Sequence, residues 1–188
     1  MEIASKLASL KDTSELMIDL SYSSLLLNSR ELAEEVQALE EHVDRLHTEF
    51  ELLVLSSGFK PEESRDFLGL IRLGIVTEEI ADAAAEIADV VLRGLEPHPI
   101  LKQVIKEAEE TVARVRVSRN SPLRDKKLRD AQIPEETGMW VLVIRRGKRW
   151  LRPRPHTLIK TGDILLASGY AEGVEDLRRL VSGSDEPK

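Results

Sequence analysis

TGMWVLVIRRGKRWLRPRPHTLIKTGDILLASG, residues 137–169, decides the fold of the second half of the chain. Met139–Ile144 is apolar at both alternating phases, which predicts a strand covered on both sides. Gly147 falls in the break between that strand and Arg149–Arg152, where a tight hairpin needs positive φ. Pro153 and Pro155 end the second strand, because proline donates nothing to a ladder. Thr161-Gly162-Asp163 then turns the chain into a third short strand, Ile164–Ser168.

Outward from this stretch the pattern closes into one module. Downstream, Ala171–Leu180 predicts a helix with Val174, Leu177, Leu180 and Val181 on one side, and 183–188 reads as a disordered polar tail. Upstream, Thr111–Ser118 alternates as a strand does. Ser121-Pro122 reads as an N-cap and first-turn pair opening a short helix anchored by Leu123 and Leu128 and ending near Ala131. The order is β-α-β-β-β-α, a small α+β module over 113–182.

Residues 1–112 follow a helical period instead. Asp12, Thr13 and Ser14 offer caps for a helix over Ser14–Leu27, and Ser29 offers one for the next. That second helix carries Leu32, Val36, Leu39, Val43, Leu46, Phe50 and Leu53, spaced alternately four and three apart. Such a seam needs partner helices at a shallow angle, so the expectation is an antiparallel bundle. Gly58 ends this helix, Pro61 suits the first turn of a third that runs to Gly94, and Ile100–Glu110 predicts a shorter fourth. The charge changes sign with the period. Through residue 112 there are 10 Lys+Arg and 24 Asp+Glu, net −14, and afterwards 17 and 10, net +7.

Composition excludes several chemistries. With no cysteine there are no disulfides, thiolate metal sites or cysteine nucleophiles. No apolar run reaches the ~18–20 residues that cross a bilayer, and the N-terminus lacks a signal-peptide core, so a cytoplasmic protein is expected. Abundant charge with two Asn and three Gln fits a thermophilic source. No G-x-S-x-G, P-loop or G-x-G-x-x-G occurs, and His42 and His47, five apart on one helix, do not share a metal face. The expectation is a non-enzyme.

Two constellations remain. Glu15 and Asp19, and again Glu78 and Asp82, sit at i, i+4, where like charges repel and invite a divalent or ferric cation. The alternative is a solvated acidic surface. Arg145, Arg146, Lys148, Arg149, Arg152 and Arg154 put six cations into ten residues, with Trp150 among them and His156 following. Arginines beside an indole suit an anionic ligand, held by forked hydrogen bonds and stacking, or anionic lipid headgroups. Nucleic acid is a weaker match, and cations paired with acidic groups of the chain itself are the plain alternative.

Glu78-Glu79-Ile80-Ala81-Asp82 resembles the ExxxD helix motif of the PhoU family, and Glu15–Asp19 a second copy. The resemblance implies a three-helix bundle whose carboxylates hold metal in some members. PhoU proteins carry this bundle twice and this chain once, which leaves a seam free and implies a homodimer. The module over 113–182 resembles the TrkA C-terminal (RCK C-terminal) domain through Ser121-Pro122-Leu123, Lys127-Leu128, Thr137-Gly138, Val143–Gly147, Pro153, Pro155–Thr157, Gly162-Asp163 and Gly169. It implies a regulatory, ligand-binding subunit of a potassium or other cation transport system. Such a subunit dimerises, takes a small anionic, nucleotide-type ligand (a cyclic dinucleotide in several relatives) and acts on a separate membrane channel or transporter. The other reading the resemblance allows is a PhoU-like metal-binding phosphate-response regulator.

Overall fold

The computed structural model describes residues 2–94, 99, 100, 103 and 110–183. The chain divides into two compact units, Met1–Leu95 and Glu96–Lys188. The expected fourth helix, apart from residues 99, 100 and 103, and the tail beyond Gly183 lie outside the described residues.

The first unit is a bundle of α1 (Glu2–Leu26), α2 (Arg30–Leu55) and α3 (Ser64–Leu92). Ser29 caps α2 as expected, its hydroxyl accepting from the Leu32 amide. Five of the seven seam residues, Leu32, Val36, Val43, Leu46 and Phe50, are buried, and Leu39 and Leu53 are half-buried. A 3-10 turn at Pro61–Glu63 precedes α3, and Gly94, at φ 64°, follows its end.

The start of α1 differs from expectation. Asp12, Thr13 and Ser14 lie inside the helix, where the Thr13 hydroxyl donates to the Ser9 carbonyl and that of Ser14 to Leu10. The buried face of α1 is Leu10, Ser14, Met17, Leu20, Ser21, Ser23 and Ser24. Its serine hydroxyls are satisfied by carbonyls one turn back, so they stand in for apolar residues in the seam. α3 presents an equally small face, Gly74, Thr77, Ala81, Ala84, Ala85 and Ala88. The large side chains of α2 fill the space between. A Cβ placed on Gly74 would come within 2.6 Å of the Phe50 ring.

The second unit is an antiparallel sheet in the order β1-β4-β2-β3: β1 (Glu110–Arg116), β2 (Met139–Arg146), β3 (Arg149–Leu151) and β4 (Ile164–Tyr170). Among the described residues from 110 to 183, two helices accompany it, α4 (Ile133–Thr137) and α5 (Gly173–Ser182). Met139, Ile144, Leu165, Ala167, Ala113 and Val115 pack with Leu123, Ile133, Ile159, Leu177 and Val181 into one core. The helix expected from Leu123 to Ala131 does not form. Asp125 takes φ 62°, and its amide donates to the Ile159 carbonyl while the Ile159 amide donates to Lys126. Pairing with the 157–159 segment outcompetes a helix there, leaving turns, a 3-10 turn at Leu128–Asp130 and then α4. The β-α-β-β-β-α order stands, with its first helix displaced downstream.

Two-sided cover of β2 holds only in part. A bulge at Leu142 shifts the register between Val141 and Val143, so that Met139 and Ile144, five apart, both reach the helix-covered core. Val143 and Leu166, paired across β2 and β4, are buried on the other face, whereas Trp140 is 54% exposed. Much of the unbroken apolar run therefore records a phase change.

Candidate ligand and metal sites

The basic hairpin does not present its cations as one rim. Arg145 and Arg146 are neighbours on β2, so their side chains leave opposite faces of the sheet. The Arg145 guanidinium lies 5.3 Å from the Trp150 ring centroid, and its Nε donates to the Gly147 carbonyl, a cation–π pair closed within the hairpin. Arg146 forks onto Asp163, Nε to Oδ1 and Nη2 to Oδ2 at 2.8 Å each, and also donates to the Leu158 carbonyl. Asp163 is 1% exposed and accepts a third bond from the Lys160 amide. The hydrogen bond to Asp163 raises the pKa of Arg146. This ion pair fastens the GD turn to β2, and it ties up a cation that the sequence placed in the ligand rim.

Arg149, Arg152, Arg154 and His156 are exposed. Of these, Arg154 borders a cleft of about 220 Å³ formed by Leu128, Ile133, Pro134, Trp140, Val141, Pro153 and Pro155. An indole and three prolines give flat apolar walls, and the guanidinium supplies charge at the mouth. That combination can stack a planar ring and hold a phosphate beside it. Trp140 was not among the residues singled out from sequence. Its signal is subtle, an indole in an otherwise aliphatic strand just ahead of the bulge.

In the bundle, the carboxylate oxygens of Glu40 and Asp44 on α2 and of Asp82 on α3 lie within 4.8 Å of one another. Burial, then the charges of Asp44 and Asp82, raises the pKa of Glu40, and burial followed by Asp82 raises that of Glu78. Glu78 thus belongs to the same field. Three carboxylates at this spacing are an oxygen set of the kind hard cations take. Glu15 and Asp19 join no such group among the described residues. Glu15 pairs with Lys11 at 2.9 Å, and burial pushes the Asp19 carboxyl up to about 6. Facing Glu78–Asp82 is Glu40-Glu41-His42-Val43-Asp44 on α2, a further ExxxD whose i, i+4 spacing was there to be read.

None of the described helices is long and apolar enough to cross a membrane. Potassium channel protein 1 of Methanocaldococcus jannaschii is 33% identical over 84 residues, 44% of this chain and 25% of that protein. The chain thus spans about a quarter of that relative's length. Among solved structures, it is similar to the RCK C domain of the potassium transport protein KtrA in complex with cyclic diadenosine monophosphate. That match has 20% identity and a TM-score of 0.35, covering 43% of this chain and 93% of that one. It is also similar to BusR of S. agalactiae in complex with its busAB-promoter DNA, at 14% identity and a TM-score of 0.38, over 95% and 98% of the two chains. The PhoU domain model matches residues 7–91, the three-helix bundle, and the TrkA-C domain model matches residues 112–182, the antiparallel unit. The chain is a PhoU domain followed by a TrkA-C domain.

Proposed function

We propose that this chain is a regulatory subunit of a potassium or other cation transport system. Its TrkA-C domain senses a small anionic ligand of nucleotide type, and its PhoU domain supplies a dimeric coupling element toward a membrane channel or transporter. The observation that carries this reading is a TrkA-C domain in a chain with a potassium-channel relative at 33% identity and no described helix able to cross a membrane. Within the domain, the cleft at Trp140 and Arg154 is the ligand site. The indole and prolines take the base, Arg154 takes a phosphate, and Arg149, Arg152 and His156 extend the cationic approach. The chain works in the cytoplasm, at the membrane surface through its partner. No reaction is assigned to it.

The test is a melting series of the full chain with cyclic and linear nucleotides, inorganic phosphate and divalent metals, alongside recovery of the tagged chain from native membranes. A nucleotide that raises the transition in the wild type, and fails to in Trp140→Ala and Arg154→Ala, supports the reading. No shift from any nucleotide, together with no transporter in the membrane fraction, overturns it. A second reading, a metal-dependent phosphate-response regulator, is favoured by the Glu40, Asp44 and Asp82 oxygens. It requires at least one metal ion per chain, lost in a Glu40→Gln, Asp82→Asn variant.

A further inference from the structure

The apolar residues of α3 are distributed against the usual rule. Its inner seam, Gly74, Thr77, Ala81, Ala84, Ala88 and Val91, is small and buried. One residue earlier at each step runs a parallel line, Leu73, Val76, Ile80, Ala83, Ile87 and Val90, spaced alternately three and four. Leu73 and Val76 are 51% exposed, Ile80 41% and Val90 39%. Gly69, four residues before Leu73, extends the line, and a Cβ there would meet nothing within 4 Å. The helix thus turns its large aliphatics outward at coiled-coil spacing. A contiguous apolar stripe of this kind marks an interface rather than a solvated face.

What would cover it is indicated by the order of sizes and charges along the stripe. Two copies of α3 laid antiparallel about a dyad at the level of Glu78 bring Gly69 opposite Ile87, Leu73 opposite Ala83 and Val76 opposite Ile80, each pair formed twice. Large side chains then meet small ones in the outer layers, as interdigitating seams require. Beside the seam the same register sets Arg72 of each copy next to Glu86 of the other. Arg72 and Glu86 form no ion pair among the described residues, so both charges are available. The unfavourable element is Glu79, which meets its own counterpart on the dyad. An isologous pairing needs this kind of reciprocity, in which each contact is made in both directions.

We propose that the outer face of α3, from Gly69 to Ile87, is the seam at which two copies of this chain pair antiparallel, with Val76 of each packing on Ile80 of the other. The proposal builds on the dimer in the functional reading above, but not on its ligand. It fixes which face of the PhoU domain associates and leaves the TrkA-C cleft out of the seam.

Sedimentation velocity on the full chain, without added nucleotide, tests it. The wild type is expected as a dimer. Ile80→Lys is expected as a monomer with unchanged helical circular dichroism, because the side chain faces outward. Arg72→Glu and Glu86→Arg are each expected to weaken the dimer at least tenfold, and the Arg72→Glu, Glu86→Arg combination to recover most of the loss. Glu79→Gln is expected to tighten it. A monomeric wild type overturns the proposal, as does a dimer indifferent to Ile80→Lys. So does a charge-swapped double variant weaker than either single one, since the register requires the two sites to couple. If Ile80→Lys lowers the melting temperature with no change in mass, the stripe is covered within one chain and the seam is refuted. Because no ligand enters these measurements, failure of the nucleotide reading leaves them intact. A dimer indifferent to Ile80→Lys refutes the seam alone, while a monomeric wild type removes the dimeric coupling element as well and leaves only the ligand reading standing.

Discussion

The two domains treat clustered acid in opposite ways. In the TrkA-C domain Asp163 is almost fully buried, and both its oxygens are held, by the two donor nitrogens of Arg146 and the Lys160 amide. In the PhoU domain Glu40, Asp44 and Asp82 gather their oxygens with Glu78 in the same field, and none of the four forms an ion pair among the described residues. The same residue type is a fastener in one place and a candidate cation ligand in the other. What separates them is whether a distant part of the chain delivers a donor.

The largest expected effect tests the fastener. Arg146→Met strands a buried carboxylate and should cost about 3–5 kcal/mol. Asp163→Ala should cost less, about 1–3 kcal/mol, because the Arg146 side chain is 34% exposed and its freed guanidinium reaches water. Both tryptophans, Trp140 and Trp150, belong to this domain, so urea unfolding followed by indole fluorescence reads it alone. If Arg146→Met is no worse than Asp163→Ala, Asp163 is not the stranded partner and the contrast fails.

The next effect is a pH dependence in the bundle. Asp19 titrates near 6 when folded, against 3.8 for an unperturbed carboxyl, because burial disfavours its charged form. Its folded pKa is raised, so its contribution is fully favourable below about pH 4, fades as the pH rises through 6, and stays unfavourable above that. Two units correspond to ~3 kcal/mol at most, and partial exposure reduces this to about 1 kcal/mol. Asp19→Asn should therefore raise the bundle's helical melting temperature at pH 7 to 8 and leave it unchanged at pH 4. An equal gain at both values would assign the effect to packing.

How much of this was legible in the sequence differs by domain for a physical reason. The α2 seam could be read because one helix carries nearly all the large apolar residues, whereas α1 seals its share with serines satisfied inside the helix. A hydrophobic periodicity does not register hydroxyls bonded to their own backbone, so α1 appeared to begin at Ser14. In the TrkA-C domain, Gly147 at φ 62° and Gly162 at φ 87° mark turns that local sequence dictates. Asp125 at φ 62° depends on bonds to the 157–159 segment, which no local pattern contains. The sites follow the same division. Six neighbouring cations suggested a single rim, but strand alternation sends Arg145 and Arg146 to opposite faces, and Asp163, distant in sequence, takes one of them. Glu78 and Asp82 were recognisable, whereas Glu40 and Asp44, whose oxygens gather with that of Asp82, required knowing which helix faces α3.

The smallest effect separates site from fastener most directly, because its sign changes. Glu40 and Asp44 are like charges one helical turn apart, so without metal Glu40→Gln should stabilise the bundle by about 0.2–0.5 kcal/mol. Arg146→Met acts the other way, since every bond it breaks was favourable. With a divalent cation present the bundle should invert. The wild type gains stability in proportion to RT ln(1 + [metal]/Kd), while Glu40→Gln and Asp82→Asn gain much less, so the variant that melts later without metal melts earlier with it. Helical melting curves with and without magnesium, manganese or iron measure this crossing. Parallel curves under every metal would reduce the cluster to a solvated acidic face, and Asp163 would then be the one acidic group of the pair with an assigned task.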